Sequence, residues 1–225
     1  MYVLHYAPDN ASLILRLAME ELRVPYRTEL VDRAMTAQRS PEFLAKNPNG
    51  LIPALETPHG VMFETGATLL WLADTHGGLA PAPDAADRGA FLKWLFFCSN
   101  TIHANLRGLF YPHYFVGDDG DAQGALHAQL QSNLVRDFTI LDTHLPDDPG
   151  ITGIDLYVAA CLRWAQIYGP ENRDWASLER WPRLAARVTR LEARPSVRAA
   201  IEAEGLGAHP FTCPHRPTPP EGSAL

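Results

Sequence analysis

Only three cysteines occur in 225 residues, Cys98, Cys161 and Cys213, and they stand far apart with no C-x-x-C pair. That spacing speaks against a dithiol redox motif and a disulfide framework, and the three are read as free thiols. The chain lacks an uninterrupted apolar run approaching the roughly 20 residues that cross a bilayer, so no membrane partner is expected. It also lacks an excess of basic charge: 19 Lys and Arg against 26 Asp and Glu leave a net charge of −7. That balance argues against nucleic acid or an anionic membrane surface as the main partner. Met1-Tyr2-Val3-Leu4-His5-Tyr6 has neither a basic region nor a cleavable apolar core, so a cytoplasmic location is expected. No phosphate-binding loop, G-x-S-x-G elbow or internal repeat is found.

What is present fits a globular chain, with 46% hydrophobic and 20% charged residues, long enough for one large domain or two small ones. Val3 to Tyr6 reads as a strand. Ser12 to Leu22 places Leu13, Leu17 and Leu22 at helical spacing, with Ile14 and Ala18 beside them. Pro25 to Val31 is a second strand, and Ser40 before Pro41 starts a helix. Pro53 to Glu56 and Val61 to Phe63, around Thr57-Pro58-His59-Gly60, form a hairpin, and Thr65 to Thr75 a helix. Gly77 to Asp84 is rich in breakers and is read as a linker between residues 1–77 and 85–206. Helices are then expected over about Ala85 to Phe110, Ala122 to His144, Thr152 to Tyr168, Leu178 to Ala193 and Ser196 to Glu204, punctuated by Pro112, Pro146, Pro149, Pro170, Pro182 and Pro195. Thr152-Gly153-Ile154-Asp155 is a capping box. Residues 207–225 are proline-rich, with Phe211 the one large apolar anchor, and are expected to be irregular and to contribute little to the core.

Two motifs carry the most information: Asn47-Pro48-Asn49-Gly50-Leu51-Ile52-Pro53, and Glu64-Thr65 at the head of an apolar-periodic segment. The first is a turn cluster entering a short strand. The second puts a carboxylate and a hydroxyl where free backbone N–H groups attract an anion. In this order and separation they resemble the glutathione site of the glutathione S-transferase family. The box at Thr152 and the ending Arg194-Pro195-Ser196-Val197 resemble the same family, so the likeness runs from about Tyr2 to Glu204.

The resemblance implies a βαβαββα thioredoxin-like domain followed by an all-helical domain, a homodimer, and glutathione as co-substrate with no metal. It implies a transferase of the detoxification type that activates the glutathione thiol for attack on a small-molecule electrophile or a hydroperoxide. The rival is a non-catalytic ligand-carrier or interaction module on the same fold. Ile52, before a cis Pro53, would pair with the backbone of the tripeptide. Thr65 would hold its γ-glutamyl carboxylate and Glu64 the neighbouring amino group. Tyr6-Ala7-Pro8-Asp9-Asn10-Ala11-Ser12-Leu13 resembles the bacterial beta-class pattern, but Ala11 stands where that class has cysteine, which rules out mixed-disulfide chemistry there. The thiol is then left to Ser12, with Asn10 as amide donor and Tyr6 as fallback. His103, Arg107 and Phe110 recur on a stripe distinct from Trp94, Leu95, Cys98 and Ile102, and His103 matches the beta-class histidine that faces the site. Tyr111 to Phe115 offers an aromatic wall. His209, Cys213 and His215 match no zinc spacing.

Overall fold

The structure is a computed structural model that describes residues 1–147, 150–169 and 174–224. Pro149, Pro170 and Leu225 lie outside the described residues.

The first part runs β1 (Tyr2–Tyr6), α1 (Ser12–Leu22), β2 (Tyr26–Leu30), α2 (Pro41–Leu44), β3 (Ala54–Thr57), β4 (Gly60–Met62) and α3 (Thr65–His76). The four strands lie in the order β2-β1-β3-β4, with β1 and β2 parallel and the other pairs antiparallel. This is the expected thioredoxin-like arrangement. β1 lies inside the sheet and is buried at all five positions, its side chains alternating between faces. Leu4 and Tyr6 join the main core with α1 and α3, whereas the His5 ring meets Phe43 of α2 on the other face. Leu13, Ile14, Leu17 and Ala18 are fully buried, as is Ser12, and Arg16 is nearly so. α1 is therefore sealed nearly all round, between the sheet on one side and later helices on the other.

The second part is helical: α4 (Arg88–Phe97), α5 (Ala104–Phe110), α6 (His113–Val116), α7 (Gly120–His144), α8 (Gly153–Ile167), α9 (Pro182–Glu192) and α10 (Pro195–Glu204). The single helix expected over 85–110 is α4 and α5 joined by a π-type segment, Cys98–His103. Such a segment shifts the phase of the side chains on either side of it. The Asp155 carboxylate closes the box at the head of α8, accepting from the amide of Thr152 at 2.8 Å, and Arg187 of α9 donates to it at 2.7 Å. The breaker-rich stretch after α3 is tied down, for the Gly153 amide donates to the Leu79 carbonyl at 2.7 Å and Arg88 grips Asp74 and the Pro81 carbonyl. Among the described residues, no helix is long and apolar enough to cross a membrane.

The tail corrects an expectation. It has no regular structure, but it is built into the core: Phe211 is fully buried, and Arg163 donates to the carbonyls of Pro210 at 2.9 Å and His215 at 3.1 Å. Gly205 sits at φ +63°, and a Cβ there would stand 2.0 Å from the Thr218 carbonyl oxygen. Breakers in this segment let the chain turn tightly against the fold instead of leaving it.

Candidate functional site

A cavity of about 1170 Å³ opens between the sheet-bearing part and the helices. Single small-ligand pockets usually span roughly 300–1,000 Å³. There is room for two ligands.

Its sheet-side wall is set by local backbone chemistry. The Asn47 side chain, itself buried, donates to the Leu51 carbonyl at 2.6 Å and accepts from the Asn49 amide at 3.1 Å, so it fixes the turn that delivers Leu51 and Ile52. The Ile52-Pro53 peptide is cis. No described residue hydrogen-bonds the backbone N–H or C=O of Ile52. Glu64 takes a positive φ of 69° at the head of α3, and Thr65, the first residue of that helix, follows it into the cavity wall. The first amides of α3 have no intrahelical partner, so this corner presents donors to an anion.

The loop between β1 and α1 forms the floor. Asp9, at φ 53°, is buried and accepts four hydrogen bonds: from Arg163 at 2.8 and 2.9 Å, the Trp164 indole at 2.9 Å and the Tyr168 hydroxyl at 2.7 Å. Its amide donates to buried Glu204 at 2.7 Å, and Glu204 pairs with Arg16 at 2.6 Å. Burial pushes the Glu204 carboxyl up against the pull of Arg16. This network bolts the loop to α8 and α10 and so sets the position of Asn10. Asp9 lines the cavity, and Arg163 and Glu204 stand buried behind it, a support that the motifs did not reveal.

Of the residues expected near the thiol, Asn10 lines the cavity whereas Ser12 and Tyr6 do not. Ser12 is fully buried and donates its hydroxyl proton to the Ala7 carbonyl at 3.1 Å. Tyr6 lies under the loop with its hydroxyl donated to Glu221, and burial followed by that hydrogen bond raises its pKa. α1 begins one residue too early for Ser12 to cap it from the loop, which turns the side chain inward. Asn10 donates to the carbonyls of Pro8 at 2.9 Å and Ala224 at 3.2 Å, and Arg33 donates to Asn10 and to Ala224. The end of the tail thus covers the amide corner.

The helical wall holds His103, Arg107, Phe110, Tyr157, Trp164 and Tyr168. His103 shares a hydrogen bond of 2.9 Å with the Tyr157 hydroxyl and packs its ring 5.3 Å from that of Trp164. Burial, then the nearby Arg107, hold its imidazole neutral, with a pKa lowered to about 4. The companion stripe Trp94, Leu95, Cys98 and Ile102 is buried in the core, although Leu95 also reaches the cavity wall. Burial pushes the thiols of Cys98 and Cys161 up, Cys213 is exposed, and none of the three lines the cavity. Tyr111 and Phe115 lie on the cavity rim.

The His209 ring shares a hydrogen bond with Glu192 at 2.8 Å, and His209, Cys213 and His215 form no metal-ligand cluster among the described residues. Among the described residues the one cluster with metal-ligand types is His5, Glu29 and Glu56, and there the Lys46 ammonium already sits 2.6 Å from Glu56.

The sequence profile of the glutathione S-transferase N-terminal domain matches residues 11–75. Glutathione S-transferase GST-4.5 of Xanthomonas campestris is 28% identical over 210 residues, covering 90% of this chain and 98% of that protein. Disulfide-bond oxidoreductase YfcG of Escherichia coli is 27% identical over 216 residues, covering 92% and 97%. The solved glutathione S-transferase from Xylella fastidiosa superposes with a TM-score of 0.80 at 25% identity, over 92% of this chain and all of that one (100%). A matching N-terminal profile, relatives aligned along nearly the whole length and a shared two-part fold are what the chain has in common with the glutathione S-transferase family.

Proposed function

We propose that the chain is a cytoplasmic glutathione transferase that acts as a homodimer, binds reduced glutathione in the cleft and presents its thiolate to a small electrophile or a hydroperoxide. The observation that carries this reading is the gathering of Ile52, Pro53, Glu64, Thr65 and Asn10 on one side of a single cavity. The unpartnered N–H and C=O of Ile52 suit the cysteinyl backbone of a tripeptide. The Thr65 corner suits the γ-glutamyl carboxylate, and Glu64 the amino group beside it. The sulfur then falls near Asn10, where it takes over the donors that otherwise serve the Ala224 carbonyl, the Asn10 amide and the Arg33 guanidinium. A cation and an N–H donor favour thiolate over thiol. His103, kept neutral, faces the second ligand and not the tripeptide.

With no cysteine in the cleft, any disulfide exchange of the kind named for the Escherichia coli relative runs through the sulfur of glutathione.

Titration calorimetry with reduced glutathione tests the anchor. Thr65→Ala and Glu64→Gln should each weaken binding by about 1.5–3 kcal/mol, the size of one charge-assisted partner, with the fold intact by circular dichroism. Wild-type affinity in both variants would sink the assignment. Binding without turnover of any electrophile, hydroperoxide or disulfide would favour the carrier reading, and a monomer by light scattering would remove the homodimer.

A further inference from the structure

Four arginines line the cleft of a chain whose net charge is −7: Arg33, Arg39, Arg107 and Arg216. Two of them are engaged on the sheet side. Arg33 holds Asn10, the Ala224 carbonyl and the Tyr111 hydroxyl, and Arg39 lies against Gly50 and donates to the Asn49 carbonyl. Arg107 and Arg216 have no ion-pair or side-chain hydrogen-bond partner among the described residues, and both are exposed. Among the described residues, the two carboxylates that line the cavity are spoken for or remote, since Asp9 is saturated by Arg163 and its neighbours and Glu64 lies on the α3 wall. A third group adds to the pair: the buried His127 Nε2 atom of α7, a residue that lines the same cavity, has no hydrogen-bond partner among the described residues.

Arg107 and His127 flank one helix crossing, and Arg216 lies close enough to Tyr168 to act on its hydroxyl. Gly108 of α5 meets Leu130 of α7, where an added Cβ would stand 2.8 Å from the leucine. Arg107 precedes that crossing by one residue, and His127 precedes it on α7 by one helical turn. Arg107 is one turn beyond His103, whose ring packs on Trp164, and Trp164 is one turn before Tyr168, whose ring packs on Phe110 at 6.0 Å. The cationic groups therefore border an apolar aromatic shelf. Unpaired guanidinium groups beside a dry aromatic surface are the donor set for a planar carboxylate on an apolar body.

We propose that this helical wall is an organic-anion subsite, in which Arg107, His127 and Arg216 hold the carboxylate of an aryl or unsaturated second ligand lying against Phe110, Trp164 and Tyr168. The substrate class it defines rests on the glutathione reading given above. The sulfur near Asn10 bonds to an activated carbon of such a ligand as a halide leaves that carbon with its electron pair, or adds to an electron-poor C=C whose π pair takes a proton from water at the next carbon, while the carboxylate is held at the far end of the cleft.

Product conjugates span both subsites and need no turnover, so S-(4-carboxybenzyl)glutathione and S-benzylglutathione are compared by calorimetry on the full chain. The carboxylated conjugate should bind about 10-fold or more tightly than the neutral one, a preference that added salt reduces. Arg107→Gln and Arg216→Gln should each erase most of that preference and leave affinity for glutathione itself unchanged. Equal affinity for the two conjugates, or a preference that survives both substitutions, overturns the proposal. If the wild-type chain binds no glutathione, the functional reading fails by itself, and 2-naphthoate is titrated instead. Binding that falls in both arginine variants then supports the anion subsite, and no binding overturns it.

Discussion

Removing the guanidinium of Arg163 should be among the most damaging single changes in the chain. This side chain is fully buried on α8 and neutralises an equally buried Asp9 through two hydrogen bonds of 2.8 and 2.9 Å. Its remaining donors fasten the tail at Leu206, Pro210 and His215. Arg163→Met keeps much of the apolar volume but leaves a carboxylate in the interior with only the Trp164 and Tyr168 donors. Breaking a buried pair from one side costs about 3–5 kcal/mol. At about 2–4 °C per kcal/mol for a chain of this size, the melting temperature should fall by about 6–20 °C. Asp9→Asn tests the pair from the other side, since asparagine accepts the left-handed backbone that Asp9 adopts. The double variant should be far less damaged than the sum of the singles, because neither charge is then stranded. Differential scanning calorimetry on the four proteins closes the cycle. Single variants within about 1 kcal/mol of the wild type, or strictly additive losses, would refute the claim that this pair bolts the loop to the helices.

Phe211→Ala should cost about 3–5 kcal/mol by chemical denaturation, as expected for a fully buried aromatic ring, and truncation after Gly205 should cost at least as much. An unchanged midpoint in both would return the tail to a passive role. His103, whose pKa is lowered to about 4 by burial and then by Arg107, should stay neutral by NMR titration through pH 5. Below the ordinary value of about 6.5 the unfolded chain takes up a proton that the native state refuses, so this contribution is complete above pH 6.5 and is lost as pH falls toward 4. His103→Gln should flatten that part of the stability profile, and an imidazole titrating near 6.5 would contradict the burial argument.

The parts of this molecule readable in the sequence are those fixed by local chemistry. Asn47-Pro48-Asn49-Gly50 is a turn because its side chains bond their own backbone, and Ser40 caps α2 by accepting from the Phe43 amide at 3.2 Å. The two stripes from α4 to α5 separated core from cavity except at Leu95, which reaches both, because helical periodicity survives the joining segment in part, although nothing in Cys98 to His103 announces a π-type turn. Asp9 and Glu204 were not legible, since their partners lie more than 150 residues away along the chain, and the tail was not, since its anchor Arg163 sits on α8, 47 residues before Pro210. One signal was present: Arg163 interrupts the apolar run Val158-Ala159-Ala160-Cys161-Leu162 ahead of Trp164, and a charge so placed needs a buried partner. Ser12 misled because a hydroxyl at the start of a helix serves equally well turned inward to a carbonyl, and the loop register decides which.

The central claim is that the cleft turns glutathione into a nucleophile, and the ultraviolet thiolate absorbance of bound glutathione, titrated against pH, tests it directly. The account predicts a bound thiol with a pKa well below the ordinary value of about 8.5, with thiolate present at neutral pH in the wild type and in Ser12→Ala, and lost in Asn10→Ala at saturating glutathione. A bound thiol that titrates like free glutathione, or a signal that vanishes with Ser12→Ala and survives Asn10→Ala, would contradict it.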